Sequence, residues 1–268
     1  MFNFVIHGNY VNFQFMDFNS RQALILAAVI KEYINTGHPV GSKEIAENYN
    51  LGCSPATVRS EMAGLEKEGY LKHPHTSAGR VPTDKGYKIF VGELMRRFEL
   101  TDRERKHLRA ELLQLKRKHE ELGRSISKLL SDTTNQAAFA LLPEASGTAG
   151  AANLIDEESE AHETKEAVSF LEQIEEHSRE LLKEYFSEKQ DEPEVYIGKE
   201  IKLADTSNYT LIVSGVRLPS GEKGLIGIVG PKRMKYDKNL SVVEYVAKLL
   251  SSGLGAYIIL INLPISNF

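Results

Sequence analysis

The chain has 268 residues, 33 Lys or Arg against 37 Asp or Glu, a formal net charge of −4 and a hydrophobic content of 41%. That length allows one or two domains, and the composition is that of an ordinary globular protein, which excludes a fibrous, disulfide-rich or disordered chain. With a pI near 6.1 the whole molecule is no basic nucleic-acid coat, so any site for nucleic acid must be local.

One cysteine, Cys53, leaves no intrachain disulfide and fits a reducing, cytoplasmic setting. Met1–Phe15 has aromatics but no basic start and no unbroken apolar run, so no signal peptide is expected; it differs in character from the rest of the chain, and Met16 is a candidate start. No stretch reaches the ~18 apolar residues of a membrane span. The apolar tail, Gly255–Ile265, is broken by Asn262 and Pro264 and is expected to be a buried strand or a frayed end.

Asn19 or Ser20 can cap a first helix whose apolar face is Leu24, Leu26, Ala27, Ile30, Tyr33 and Ile34, ending at Asn35-Thr36-Gly37. After the turn His38–Gly41, Ser42 is expected to cap a second, short helix with Ile45, Ala46 and Tyr49 inward. Ser54-Pro55 opens a third. The serine oxygen can accept the free amides of the first turn, and proline at the first helical position loses no hydrogen bond. Its apolar face is Val58, Met62 and Leu65, and Gly69 ends it. Tyr70–Pro82 is expected to form strand, polar loop and short strand, and Thr83 or Asp84 starts a helix carrying Tyr87, Ile89, Phe90, Val91 and Leu94.

From Thr101 to about Leu130 the pattern predicts a long polar helix. Residues 103–128 hold nine Lys or Arg and four Glu, net +5. Leu108, Leu112, Leu115, Leu122, Ile126 and Leu129 recur near every 3.5 residues, and this row can pack on its own domain or pair with a second chain. Ser146–Ala152, rich in small residues, is expected to be a flexible break. Residues 156–194 carry fifteen acidic against four basic residues, net −11, largely the solvated face of an amphipathic helix with Val168, Leu171, Ile174, Ser178, Leu181, Leu182 and Tyr185. Strands are expected at 194–198, 210–217 and 224–230, with Pro219–Glu222 a hairpin turn, and then a helix over 240–250 with Val243, Val246, Ala247 and Leu250 inward.

The order helix, helix, turn, helix, hairpin, helix predicts a winged helix-turn-helix over residues 17–98, followed by a helical linker or dimerisation region at 99–142 and a small α+β domain at 164–252. In such a unit the helix from Ser54 enters the major groove by its N-terminal residues. Thr57, Arg59 and Ser60 are the expected base readers, Arg59 by a bidentate pair with guanine, and small Pro55 and Ala56 permit close approach to thymine methyls. Ser54 and Lys43 are expected at phosphates. The hairpin's Lys72, His73, His75, Thr76 and Arg80 are expected at phosphates or the minor groove. His73-Pro74-His75 has no Cys or carboxylate at ligand spacing, so no metal is expected, nor any cofactor. Gly224-Leu-Ile-Gly227-Ile-Val-Gly230 is not a dinucleotide fingerprint; its glycines are expected to admit close strand packing, and no enzyme is expected.

Three stretches carry a family resemblance: Gly37–Lys43, Ser54–Glu66 and His75–Tyr87, the last with a specific His-Thr-Ser-Ala-Gly-Arg run. They resemble the heat-inducible transcription repressor HrcA family, and Gly224–Tyr236 and Val243–Leu250 look like that family's C-terminal GAF-like domain, here shortened in the middle and acidic between Leu142 and Val195. The resemblance implies a homodimer on double-stranded DNA at an inverted-repeat operator, the CIRCE element, controlling chaperone operons, and a GroEL-type chaperonin that keeps the repressor competent until heat stress relieves it. A ligand-responsive regulator sensing a small molecule through the GAF-like domain is the alternative. A third reading is a winged-helix module that binds protein rather than DNA; salt-insensitive binding would mark it, since phosphate contacts release counterions.

Overall fold

The computed structural model describes residues 4–6, 9–11, 20–74, 79–95, 98–115, 122–143, 145–154, 169, 172–174, 176–186, 192–201, 208–218 and 221–252. The fold is α+β, and the chain divides into two compact units. The first comprises residues 1–96 together with Arg233–Asp237, and the second comprises 97–232 and 238–268. The expectations on Asp17–Asn19, His75, Thr76, Lys116–Lys118, Val168, Leu171 and the tail from Gly253 lie outside the described residues.

In the first unit a two-stranded antiparallel hairpin, β1 (Phe4–Ile6) and β2 (Asn9–Val11), precedes three helices: α1 (Ser20–Thr36), α2 (Ser42–Asn48) and α3 (Pro55–Lys67). A short antiparallel pair comes next, β3 (Leu71–Lys72) with β4 (Val81–Pro82), and then α4 (Asp84–Ile89), which continues as one π-helical turn over Phe90–Leu94. The caps explain the boundaries. Ser54 accepts the Thr57 amide at 3.2 Å, and Thr83 accepts that of Gly86 at 3.1 Å, both as the sequence predicts. Ser42 does not cap α2. It is the first helical residue, and the cap is Gly41, whose amide donates to the Glu44 carboxylate three residues on at 3.3 Å. A carboxylate that reaches back takes the place of a cap side chain.

The apolar stripe of α3 is buried as its periodicity predicts, whereas α1 is buried over the whole run Ala23–Ile30, beyond the expected face, with Tyr33 and Ile34 half-buried. Ile25, Leu26, Ile30, Ile45, Val58, Met62, Leu65 and Leu71 are all buried. Tyr49 seals the α1–α2 contact by donating from its hydroxyl to the Glu32 carboxylate at 3.0 Å; burial first, and then Glu32, hold its pKa above the usual phenol value. Tyr87 is buried with its ring tilted at 5.9 Å from that of Tyr236.

The second unit is built on a five-stranded antiparallel sheet. Its strands are β5 (Ala137–Leu142), β6 (Ala145–Ala149), β7 (Glu194–Ile197), β8 (Tyr209–Arg217) and β9 (Lys223–Pro231), in spatial order β6-β5-β9-β8-β7. Alternation sorts the residues of its strands. Phe139, Leu141, Leu211, Val213, Leu225 and Val229 share one core with Leu154, Ile174, Ile201 and with Leu181 and Tyr185 of α7 (Ser178–Tyr185). The intervening residues Ala138, Ala140, Ile212, Ile226 and Ile228 are buried as well, so the three inner strands are apolar on both faces.

Two helices expected as one are α5 (Asp102–Leu115) and α6 (Leu122–Thr134). Thr101 caps α5 in a reciprocal box with Glu104, whose carboxylate that contact with the Thr101 amide holds below its ordinary pKa. Leu108, Leu112, Ile126 and Leu129 are buried within the single chain, so these four positions are covered without a second chain.

α6 lies directly on β6. The Ser127 hydroxyl is 2.6 Å from the Gly147 carbonyl and 2.8 Å from that of Gly123, and a Cβ on Gly147 would stand 2.6 Å from the Arg124 backbone. The Ser146–Ala152 stretch is therefore no flexible break. It is strand β6 running into a 3-10 turn, Ala151–Leu154, and its small residues are what let a helix backbone approach it. The last helix, α8 (Tyr236–Ser251), buries Val243, Val246, Ala247 and Leu250 as its spacing predicts, and its Ser251 hydroxyl accepts the Arg217 amide at 3.2 Å. Tyr245 of α8 donates to the Arg105 carbonyl of α5 at 3.3 Å.

The glycines of β9 bear out the packing reading. A Cβ on Gly227 would stand 2.6 Å from the Phe139 ring and 2.7 Å from the Ile212 carbonyl, closer than real contacts allow. Gly227→Ala should therefore cost about 1–3 kcal/mol, the usual range for overpacking. Urea denaturation of the full chain checks this through a lowered midpoint at unchanged slope.

Candidate nucleic-acid interface

The exposed face of α3 starts at its cap. Ser54, Pro55, Ala56, Arg59 and Ser60 are exposed, Thr57 is half-buried, and Val58 and Met62 point into the core. This partition is dictated by the sequence, since core residues at 58, 62 and 65 leave 56, 59, 60 and 63 outside. Thr57 and Ser54 also lie hydroxyl to hydroxyl at 3.0 Å, so each has its orientation set by the other before any ligand arrives. Arg59 has no hydrogen-bond or ion-pair partner among the described residues, and its long side chain is available to an acceptor outside the chain.

Lys43 sits in the first turn of α2 with its side chain 80% exposed, 3.8 Å from Glu47 one turn on. So exposed a pair holds its partners weakly and does not withdraw the ammonium from other anions. Lys72 is exposed on β3.

The hairpin stem differs from expectation. Arg80 does not face outward. Its side chain is only 12% exposed; its Nε donates to one carboxylate oxygen of Glu66 at 3.1 Å, and its Nη2 stands 3.1 Å from that same oxygen as an ion pair. The other Glu66 oxygen is 2.5 Å from His73 Nδ1. Glu66 lies in the last turn of α3, so one carboxylate from the helix gathers two of the five hairpin residues expected at phosphates or the minor groove. Hydrogen bonding from His73, and then from Arg80, holds its pKa below the ordinary carboxylate value. The sequence offered one signal for this: Glu66 lies four residues after Met62 and one after Leu65, at the border of the apolar stripe, where a side chain leans toward a neighbouring element.

A further tie fixes the same stem. Val40, in the turn before α2, and Arg80 exchange two backbone hydrogen bonds, each 2.9 Å, as an isolated antiparallel bridge. Gly79 lies so close to the Val40 carbonyl that a Cβ there would collide with backbone, which explains a glycine at that point of the family-like run. Lys85 of α4 donates to the Glu68 carbonyl at 2.9 Å and lies 4.0 Å from the Tyr70 ring centroid, bracing the other side of the hairpin.

These geometries can be tested by substitution and by pH. Ser54→Ala removes the cap and should destabilise the chain by about 0.5–2 kcal/mol, seen as a lowered urea midpoint. Glu66 supplies the pH test. Its carboxyl pKa is lowered on folding, so its contribution is fully present above about pH 4.5 and is lost as pH falls through the lower folded value. Chemical denaturation between pH 6 and pH 3 should show wild-type stability falling over that span more steeply than in Glu66→Gln; parallel curves would contradict the ion-paired carboxylate.

Comparison with known proteins places the chain. The family described as "HrcA protein C terminal domain" matches residues 99–240, just over half of the chain. Among curated relatives, the heat-inducible transcription repressor HrcA of Moorella thermoacetica is 47% identical over 129 residues, 48% of this chain and 38% of that protein. The one of Pelotomaculum thermopropionicum is 45% identical over 132 residues, 48% of this chain and 37% of its own length. The matched stretch thus spans well under half the length of these relatives. A solved structure described as a hypothetical protein at 2.2 Å resolution shares the fold with a TM-score of 0.69 at 20% identity, covering 90% of this chain and 99% of its own. No helix among the described residues is long and apolar enough to cross a membrane. On the match across residues 99–240, the chain belongs to the HrcA family of heat-inducible transcription repressors.

Proposed function

We propose that this chain is a heat-inducible transcription repressor whose first unit acts as a winged helix-turn-helix on double-stranded DNA. The carrying observation is the surface of α3: Arg59 stands exposed, with no partner among the described residues, beside exposed Ser60 and Ala56, on a helix whose N-terminus Ser54 and Pro55 define. A helix presented in this way, after a short helix and a turn and before a hairpin, has the shape and chemistry that fit a major groove. Arg59, Thr57 and Ser60 then read base edges. Ser54 and Lys43 hold phosphates, with Lys72, His75 and Thr76 toward the backbone or minor groove. The family's named relatives are repressors, which supports the regulatory reading. A homodimer would set two α3 helices one helical turn or a multiple apart, matching an inverted-repeat operator of the CIRCE type. A GroEL-type chaperonin, which the family resemblance implies, would keep the repressor competent until heat stress relieves it in the cytoplasm. The second unit would then serve as the shortened GAF-like regulatory domain.

The test is a fluorescence-anisotropy titration of the full chain on an inverted-repeat duplex and on a scrambled duplex. Arg59→Ala should weaken binding to the repeat by about 1–3 kcal/mol while changing binding to the scrambled duplex far less. Wild-type affinity in the variant would remove Arg59 from the set of base readers. Binding that does not weaken as salt is raised would remove DNA as the partner, because phosphate contacts release counterions.

A further inference from the structure

Within the DNA-binding reading, on which this inference rests, the hairpin presents a paradox. Its most basic described side chain, Arg80, points inward. It is 12% exposed, both of its contacting nitrogens go to Glu66, and the same carboxylate binds His73. An arginine so paired has the Nε/Nη2 edge of its guanidinium turned to the carboxylate, and it cannot follow a phosphate without giving up that pairing. The backbone of Arg80 is held independently by Val40, so the side-chain pairing is not needed simply to form the hairpin stem. What the pairing adds is a choice of charge: it removes one cation from the surface beside α3 and leaves exposed Lys72 on the stem.

We propose that Glu66 is a specificity-determining positioning residue, which sequesters Arg80 and His73 so that the wing is locked to α3 and adds no sequence-blind phosphate contact through Arg80. The physical consequence is directional. Phosphate contacts raise affinity for every duplex alike, while base contacts separate one sequence from another. A carboxylate that withholds a guanidinium from phosphate therefore lowers general affinity and raises the ratio between specific and non-specific binding. Its removal should do the reverse, and it should do so through Arg80. This distinguishes the role from that of an ordinary structural ion pair, whose loss would weaken binding to all duplexes without adding a phosphate contact.

The experiment compares wild type, Glu66→Ala, Arg80→Ala and the double variant on the inverted-repeat and scrambled duplexes, by anisotropy between roughly 50 and 200 mM salt. Glu66→Ala should steepen the dependence of log affinity on log salt by about 0.9, the value of one added phosphate contact, which amounts to about threefold over that salt range. It should also tighten binding to the scrambled duplex and narrow the specific-to-scrambled ratio. Arg80→Ala should leave the wild-type slope unchanged, and the double variant should return to it. Glu66→Gln keeps an acceptor for Arg80 without the charge and should fall between wild type and Glu66→Ala. It also carries the test should Glu66→Ala unfold, as a thermal melt would show. A reduced slope in Arg80→Ala would overturn the proposal, because Arg80 would then contact phosphate in the wild-type complex. Unchanged slopes and ratios in both Glu66 variants, with a discriminating wild type, would overturn it alone. A wild type that fails to discriminate the two duplexes would overturn the DNA reading and this inference with it.

Discussion

Two backbone hydrogen bonds between Val40 and Arg80 hold the first unit's working parts in register. Each is 2.9 Å long, and together they staple the turn before α2 to the start of β4. A typical intramolecular hydrogen bond contributes only about 0.5–1.5 kcal/mol net, so the importance of this pair lies in what it positions. The turn fixes where α2 begins and hence how α3 lies across it; the hairpin fixes the wing. Gly79 allows the two backbones to meet, since any side chain there would strike the Val40 carbonyl. Glu66 then carries the constraint from the hairpin stem to the end of α3 through Arg80 and His73. Turn, helix and hairpin thus form one braced object, and the exposed face of α3 inherits its rigidity.

The second unit rests on a different principle, close approach through small residues. Gly147 and Gly123 bring α6 onto β6, Ser127 satisfies its hydroxyl against the carbonyls so exposed, and Gly227 admits the Phe139 ring across the sheet. With the three inner strands buried on both sides, the sheet has little tolerance for added volume, which is the condition under which interiors respond to a single methyl group.

How much of this the sequence revealed depended on whether the signal was local. Ser54-Pro55 and Thr83 announced helix starts through chemistry that acts within three residues, and both hold. The turn after β8 was equally legible: the Leu218 amide meets the Glu222 carbonyl at 2.8 Å, and Gly221 takes a φ of +86°, a conformation glycine adopts without strain. Ser42 misled because a serine before a helix resembles a cap, whereas a carboxylate three residues beyond Gly41 supplied the bond instead. Ser146–Ala152 misled for a non-local reason. Small residues signal flexibility when nothing packs on them and tight packing when something does, and only the fold reveals α6 above them. The leucines of α5 and α6 carried an open choice between self-packing and pairing with a second chain, since periodicity marks a buried stripe without naming what buries it. Of the candidate site, the exposed face of α3 was legible because it is the complement of the apolar stripe. The inward turn of Arg80 was not, because it depends on a carboxylate fourteen residues earlier in the chain.

The most direct test of the account is amide hydrogen exchange on the full chain, with and without an inverted-repeat duplex. If α3 is the face that meets DNA, exchange should slow on adding the duplex in peptides covering Ser54–Ser60 and Lys72–Arg80, and much less in peptides covering the buried strands β8 and β9. A scrambled duplex at the same concentration should protect these segments less. Protection confined to the second unit, or none in Ser54–Ser60 at concentrations where the repeat is bound, would contradict the assignment of α3 as the reading helix.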